Sequence, residues 1–338
     1  MEASLKILRM ATLLIVASAF LQTAMVFAQS KGKPINVGYS SVSGTETAAW
    51  VTKEAGLFEK YGLDVTFKRL AGSSLVAQAM VGNELSIAQI GGTAVVDARL
   101  AGADMVYLAS TIDSMVASIH SLPSITKIED LRGKKIGVTR FGAITDFFAR
   151  FALKSKGLVA DRDVGIVQTN DLPNTLTLLK TGAIQAGVMV APVTAQARKM
   201  GFPELVDMTK IGGSFPFNGV VTTHEYLKSK DGRDIVQRFL KAYVEGISVA
   251  LKNREFTLKV IGEYTRTTDA ELLEETYQLN IAKAFLKAPY PSVEGFKTIL
   301  DFVAETRDPK AKAIDPKSLL DASFVKQLDD SGFIKGLY

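Results

Sequence analysis

The chain has 338 residues, 47% hydrophobic and 22% charged, which excludes intrinsic disorder and leaves room for two domains with a substantial core. It contains no cysteine, so disulfides, thiol nucleophiles, thiolate metal sites and a lipid-modified N-terminal cysteine are all excluded. The 40 basic and 35 acidic residues give a net charge of +5 with no long basic block, which is not a nucleic-acid signature but is compatible with anionic ligands.

Lys6 and Arg9 precede residues 11–28, an uncharged run ending in Val26-Phe27-Ala28. A positive start, an apolar stretch and a small-x-small end read as a signal peptide over residues 1–28, with Gln29 the first mature residue. A retained membrane anchor is the alternative, although the run is short for a span. Cleavage leaves 38 basic and 34 acidic residues, a net +4. An exported protein without a lipid tether is retained only behind an outer membrane, so a periplasmic location is expected.

Residues 35–67 set the pattern for the rest. Ile35, Val37 and Tyr39 alternate as a strand, and a hydroxyl-rich loop from Ser40 to Thr45 follows. Thr45 and Thr47 are expected to cap a helix that stops at Gly56. Tyr61-Gly62 turns the chain into a second strand through Leu63, Val65 and Phe67. A strand running into a helix amino end across such a loop is a polar pocket, because free amides converge there and the helix dipole favours negative groups.

The device recurs. The loop Gly72-Ser73-Ser74 opens a helix closing at Gly82, a short strand over residues 86–90 runs into Gly91-Gly92-Thr93, and the next helix closes at Gly102. Strands over residues 105–109 and 116–120 follow, and the pattern restarts with a strand over 135–138, the loop at 139–145 and a helix to about Lys156. Further strands over 164–168 and 186–190 lead into helices near Asn174 and after Pro192, which suits a first helical turn. Alternation at this spacing implies parallel sheets with crossover helices, whose ligands sit outside the carboxyl ends of the strands. Gly82 to Ala88 and Gly182 to Val188 echo one another, which suggests two lobes of one construction; a single doubly wound domain is the alternative. After a return strand over 217–222, helices over 234–252, 256–264, 270–286, 294–305 and 318–329 are expected to pack around the first lobe.

Three phrases stand in order: Glu54-Ala55-Gly56-Leu57-Phe58-Glu59-Lys60-Tyr61-Gly62-Leu63-Asp64-Val65, then Leu131-Arg132-Gly133-Lys134-Lys135-Ile136-Gly137-Val138, then residues 176–182. With the tail Asp321-Ala322-Ser323-Phe324 and Ser331-Gly332-Phe333-Ile334, the mature chain resembles the substrate-binding proteins of ABC importers, in the group that binds sulfonates, nitrate, taurine and thiamine precursors. Ser86 and Ala186 stand where that family often carries Asp, which discourages copying a ligand. The resemblance implies an α/β, two-lobed periplasmic-binding-protein fold of type II. Each lobe is a mostly parallel sheet flanked by helices, and two hinge crossovers lie near residues 120–123 and 217–222. Lobe one is expected over 34–120 plus 221–338 and lobe two over 121–220.

The ligand is placed among five loops, at 39–45, 72–74, 91–93, 139–145 and 190–192. The candidate residues are Tyr39, Ser41, Ser43, Gly72, Ser73, Ser74, Gly92, Thr93, Arg140, Phe141, Gly142, Thr145, Pro192, Phe217 and Asn218. Hydroxyls supply hydrogen bonds, small residues admit the backbone, and Arg140 can pair with an anion or stay solvated. Tyr39, Phe141, Phe215 and Phe217 can form an aromatic wall, Phe141 being the favoured member, whereas Trp50 belongs to the core. A bulky residue at Ser74 or Thr93 is expected to abolish binding without unfolding. His120 and His224 are read as hinge packing, Asp146 as a helix-start charge and Asp171 as a turn residue, with no metal, cofactor or catalytic residue expected. The partners expected are a small-molecule ligand and an inner-membrane permease with its ATPase, without nucleic acid, for a monomeric protein. An enzyme of the same fold and a receptor reporting to a sensor are the rivals.

Overall fold

Two five-stranded mixed sheets organise residues 34–338, the part of the chain that the computed structural model describes. The expected signal peptide lies outside the described residues. The first sheet holds β1 (Ile35–Tyr39), β2 (Val65–Arg69), β3 (Ile87–Ile90), β4 (Met105–Ile112) and β10 (Asn218–Thr223) in the order β2-β1-β3-β10-β4. The second holds β5 (Ser118–Ser121), β6 (Lys135–Val138), β7 (Gly165–Gln168), β8 (Ala186–Met189) and β9 (Glu204–Asp207) in the order β7-β6-β8-β5-β9. β1 runs parallel to β2 and β3, and β6 runs parallel to β7 and β8. Each sheet takes one antiparallel strand that arrives from the other: β10 between β3 and β4, and β5 between β8 and β9. The expected two-lobed periplasmic-binding-protein architecture is therefore present, with the same strand order built twice.

Sheet membership moves the crossovers. The first was expected near residues 120–123, but β5 already pairs in the second sheet, Ile119 facing Val188 and Val206. The crossing segment is thus 113–117, and the strand pattern of β5 carried no sign of which sheet it would join. On the return, β10 enters the first sheet from Asn218, three residues before the expected lobe boundary. The two crossing segments are tied together. Phe217 N donates to Ile112 O at 3.0 Å, Met208 N to Ala117 O at 3.0 Å, and Ser214 Oγ to Asp113 Oδ2 at 2.5 Å.

β4 is an edge strand yet buried along its whole length. Later chain covers its open side: Leu286 N donates to Thr111 O at 2.9 Å, Ser110 N to Pro289 O at 2.8 Å and Asp321 N to Tyr107 O at 2.9 Å. Covering the edge satisfies backbone groups that would otherwise recruit another chain. The long helix Lys230–Lys252 packs on the helix Thr47–Glu54, and Phe58 stacks on Phe239 at 5.0 Å, so the carboxyl-terminal helices do brace the first lobe. Trp50 is fully buried and stacks on Tyr264 at 4.6 Å, in the core as expected.

The expected threonine caps are not made. A 3-10 turn, Gly44–Glu46, intervenes between β1 and the helix, and neither it nor the helix from Thr47 has a side-chain cap. Thr45 instead turns its hydroxyl to Ser43 Oγ at 2.8 Å. The internal echo also shifts by one residue. Gly82 has φ −75°, and the left-handed position after that helix is Asn83 at +59°, which matches Gly182 at +74°. Leu85 therefore corresponds to Ile184, and the two play one part: a Cβ on Gly38 in β1 would meet Leu85 Cδ1 at 2.5 Å, and one on Gly137 in β6 would meet Ile184 Cδ1 at 2.5 Å.

Candidate functional site

The carboxyl ends of the strands in both sheets face a cavity of about 50 Å³ between the lobes. The first lobe gives Ser40, Ser41, Ser43 and Thr45 from the loop after β1, Gly72 and Ser73 from the loop after β2, and Phe217 with Asn218 at the start of β10. The second lobe gives Thr139, Ala143, Ile144 and Thr145 after β6, Asn170, Asp171 and Leu172 after β7, and Val190 after β8. Three helices begin here, at Ser73, Ile144 and Leu172, and their first amides have no intrahelical acceptor. Asp171 takes up one of those ends, its Oδ1 accepting from Asn174 N at 3.0 Å. One water needs about 10–15 Å³ of such space, so the cavity holds a compact ligand of a few heavy atoms unless the lobes part.

The lobes meet around the cavity. Gly44 N donates to Ala191 O at 3.0 Å, Arg140 Nε to Ala71 O at 2.7 Å, and Ser74 Oγ to Phe141 O at 3.0 Å. Phe147 packs against Phe215 and Phe302 at 5.1 and 4.7 Å, and Lys154 pairs with Glu305 at 2.5 Å.

Of the candidates from sequence, Ser41, Ser43, Gly72, Ser73, Thr145, Phe217 and Asn218 line the cavity. Ser74 and Arg140 are fasteners between the lobes, so Arg140 spends its Nε on a carbonyl and does not line the cavity. Tyr39 is turned into the first lobe against Trp50 and Phe67. Gly92 donates its amide to Pro216 O at 2.8 Å and sits in the packing below the site. Thr93 and Gly142 line a separate cavity of about 20 Å³ beside the Asp97–Arg307 and Asp146–Arg150 ion pairs. Phe141 is 47% exposed and Pro192 starts a helix outside the lining, so the aromatic member of the wall is Phe217, held by Phe148 at 5.8 Å. Bulky substitutions at Ser74 and Thr93 are consequently no test of this cavity. Asp146 accepts from Gly142 N and Arg150, a helix-start charge as read from sequence. His120 Nδ1 meets Phe202 O at 3.1 Å inside the second lobe, and His224 Nδ1 meets Asp104 at 2.9 Å on the first. Among the described residues no three metal-ligating side chains cluster.

Sequence reading missed Glu46. It is fully buried behind the hydroxyl wall, where its Oε1 accepts from Ser40 N at 3.3 Å, Ser40 Oγ at 3.0 Å and Ser41 Oγ at 3.2 Å. Burial pushes its pKa up to about 7, against the lowering effect of hydrogen bonds from Asn218, Ser40 and Ser41. A glutamate in a run of small hydroxyls with no Lys or Arg beside it was the available signal. Because the folded pKa exceeds the unfolded one, the folded state holds the extra proton between roughly pH 4.5 and 7, so this group's contribution is lost as pH rises through that window. Glu46→Gln is therefore expected to match the wild type in urea unfolding at pH 5 and to be more stable at pH 8, by at most about 3 kcal/mol. A variant less stable at pH 8 than at pH 5, relative to wild type, would contradict the assignment.

A larger groove of about 360 Å³ lies on the far side of the loop after β1, lined by Arg198, Glu204, Asp207 and Glu275. Within it Arg198 pairs with Glu275 and Asp207 with Lys210.

The family described as NMT1/THI5 like matches residues 45–255. A Brucella abortus (strain 2308) protein named "Putative binding protein" is 24% identical over 264 residues, covering 77% of this chain and 74% of its own. Among solved structures, a protein of Bordetella bronchiseptica RB50 superposes with a TM-score of 0.80 at 20% identity, over 89% of this chain and 98% of that one. The alkanesulfonate-binding protein SsuA from Xanthomonas axonopodis pv. citri, bound to MOPS, gives 0.73 at 16% identity over 86% and 98%. The periplasmic nitrate-binding protein NrtA from Synechocystis PCC 6803 gives 0.74 at 14% identity over 88% of each chain. The superpositions establish the shared fold, and the match over residues 45–255 spans all of the second lobe and about half of the first, so the chain belongs to the NMT1/THI5-like family.

Proposed function

We propose that the protein is an extracytoplasmic solute receptor that closes two lobes on a small organic or anionic nutrient and hands it to an ABC permease. The observation that carries this reading is the hydroxyl-lined cavity, walled by strand ends of both lobes and fastened shut by hydrogen bonds between them, one main-chain and two from side chains. Its lining of hydroxyls, amides and one phenyl ring holds a ligand by many weak contacts. The alkanesulfonate- and nitrate-binding structures share this fold and the Brucella abortus relative is named a binding protein, which supports a receptor that delivers its ligand unchanged. The basic, apolar amino-terminal run supports export by a cleaved signal peptide, hence a periplasmic location, and a monomer suffices because each chain supplies both walls. Between residues 34 and 338 no helix is long and apolar enough to cross a membrane.

The test is a thermal-shift screen of the mature protein across sulfonates, nitrate, amines and N-heteroaromatics, followed by mass spectrometry of the recovered compound. A stabilising compound recovered unchanged is expected, since a saturating ligand raises apparent stability by mass action. Conversion of that compound, or silence across all four classes, would overturn the reading.

A further inference from the structure

Ser41 donates to Glu46 Oε1 at 3.2 Å, and its oxygen lies 2.7 Å from Ser43 Oγ, which in turn lies 2.8 Å from Thr45 Oγ1. Each hydroxyl has a single proton. With Glu46 ionised, the Ser41 proton is committed to the carboxylate, so Ser43 must donate to Ser41 and Thr45 to Ser43. Ser40 also commits its proton to Glu46. All four hydroxyls then offer only lone pairs to the cavity, and beside them the buried Asn218 Oδ1 has no partner. That wall accepts hydrogen bonds. The second lobe's wall differs: the helix starting at Ile144 presents free amides, and Thr145 Oγ1 already accepts from Thr139 N at 2.9 Å, leaving one hydroxyl proton of that pair for the cavity.

We propose that Glu46 is a specificity-determining positioning residue that fixes the direction of this hydroxyl chain, so that the ligand carries an ammonium or N–H group toward the Ser40–Thr45 wall and an acceptor group toward the second lobe's Ile144 helix start and Thr139–Thr145 pair. The proposal rests on the receptor reading and narrows its ligand class. A plain sulfonate or nitrate, acceptor on every side, satisfies only one end and faces unpaired lone pairs at the other. Among the described residues no lysine or arginine lines the cavity to reverse that preference, and Asp171 is the one ionisable residue in the lining. The titratable groups coupled to Glu46 are the phenols of Tyr39 from β1, Tyr107 from β4 and Tyr243 from the long helix, none of which gains charge near neutral pH.

Matched pairs of probes test this: 2-aminoethanesulfonate against ethanesulfonate, and 3-aminopropanoate against propanoate, with nitrate as a fifth, by calorimetry at pH 6 and pH 8. The amino member of at least one pair is expected to bind about tenfold or more tightly than its partner at pH 8, the worth of a charge-assisted hydrogen bond. Its affinity should fall toward pH 6 as Glu46 takes up a proton, while the ammonium itself stays charged. Glu46→Gln should remove the pH dependence and most of the preference. Ser41→Ala, which cuts the chain between Glu46 and Ser43, should weaken the preference without the stability gain of Glu46→Gln. Equal binding within both pairs, binding by nitrate or the plain anions alone, or an unchanged pH profile in Glu46→Gln overturns the proposal but leaves the receptor reading standing. Silence from all five probes overturns it too, and the receptor reading is then decided by the wider screen.

Discussion

Ser73→Phe is expected to abolish ligand binding while leaving the unliganded protein folded. Ser73 begins the helix Ser73–Val81, lines the cavity and is buried in the closed arrangement of the lobes. Holding a benzene-sized ring takes a cavity of about 150 Å³, and only about 50 Å³ is present. The added ring can be housed only by separating the walls, which breaks the Gly44–Ala191, Arg140–Ala71 and Ser74–Phe141 hydrogen bonds together. Neither sheet is disturbed, because Ser73 lies in a helix at the gap between the lobes and the ring points into that gap. The measurement is the shift in melting temperature produced by whichever compound of the screen stabilises the wild type. That shift should vanish, with circular dichroism of the free protein unchanged. A variant that binds as well as wild type would remove the cavity from consideration as the ligand site.

Gly246→Ala should destabilise the first lobe, against the usual expectation for a glycine inside a helix. Alanine gains about 1 kcal/mol in helix propensity over glycine. Gly246 lies where the helix Lys230–Lys252 crosses the helix Thr47–Glu54, and a Cβ there would overlap Thr52 Oγ1 and stand 2.9 Å from Thr52 Cβ and 3.1 Å from its Cα. The Thr52 hydroxyl is itself held, donating to Ala48 O at 2.6 Å. A rotamer change does not clear the Cα and Cβ, so the helices must move apart, and overpacking of this kind costs about 1–3 kcal/mol. The clash wins. A fall of a few degrees in melting temperature is expected, and Gly246→Leu should prevent folding of the chain. Adding Thr52→Ala to Gly246→Ala should recover only part of the loss, because it removes Oγ1 but leaves Thr52 Cβ and Cα at 2.9 and 3.1 Å from the added methyl. An alanine variant more stable than wild type would show that the crossing is looser than its geometry.

Strand, loop and helix order followed from the sequence because each depends on neighbours within a few residues. Alternation in residues 35–39, glycines such as Gly56 and Gly182 at positive φ, and the ordered phrases around Gly62 and Gly133 led to a two-lobed α/β receptor architecture. Loops at strand ends likewise brought Ser41, Ser43, Ser73 and Thr145 to the cavity, since a parallel sheet puts such loops on one side. Local pattern could not say which sheet β5 would join, since its pairing to β8 and β9 spans about seventy residues or more. It also favoured Phe141 over Phe217, because an aromatic beside a glycine in a polar loop looks like a wall, whereas burial depends on what folds over it. Glu46 shows the division most plainly. Its letter stands in the sequence among serines and threonines, yet its buried, chain-orienting place arises only when β10 brings Asn218, and the long helix brings Tyr243, against it, and loss of water is what gives one carboxylate control of four hydroxyls.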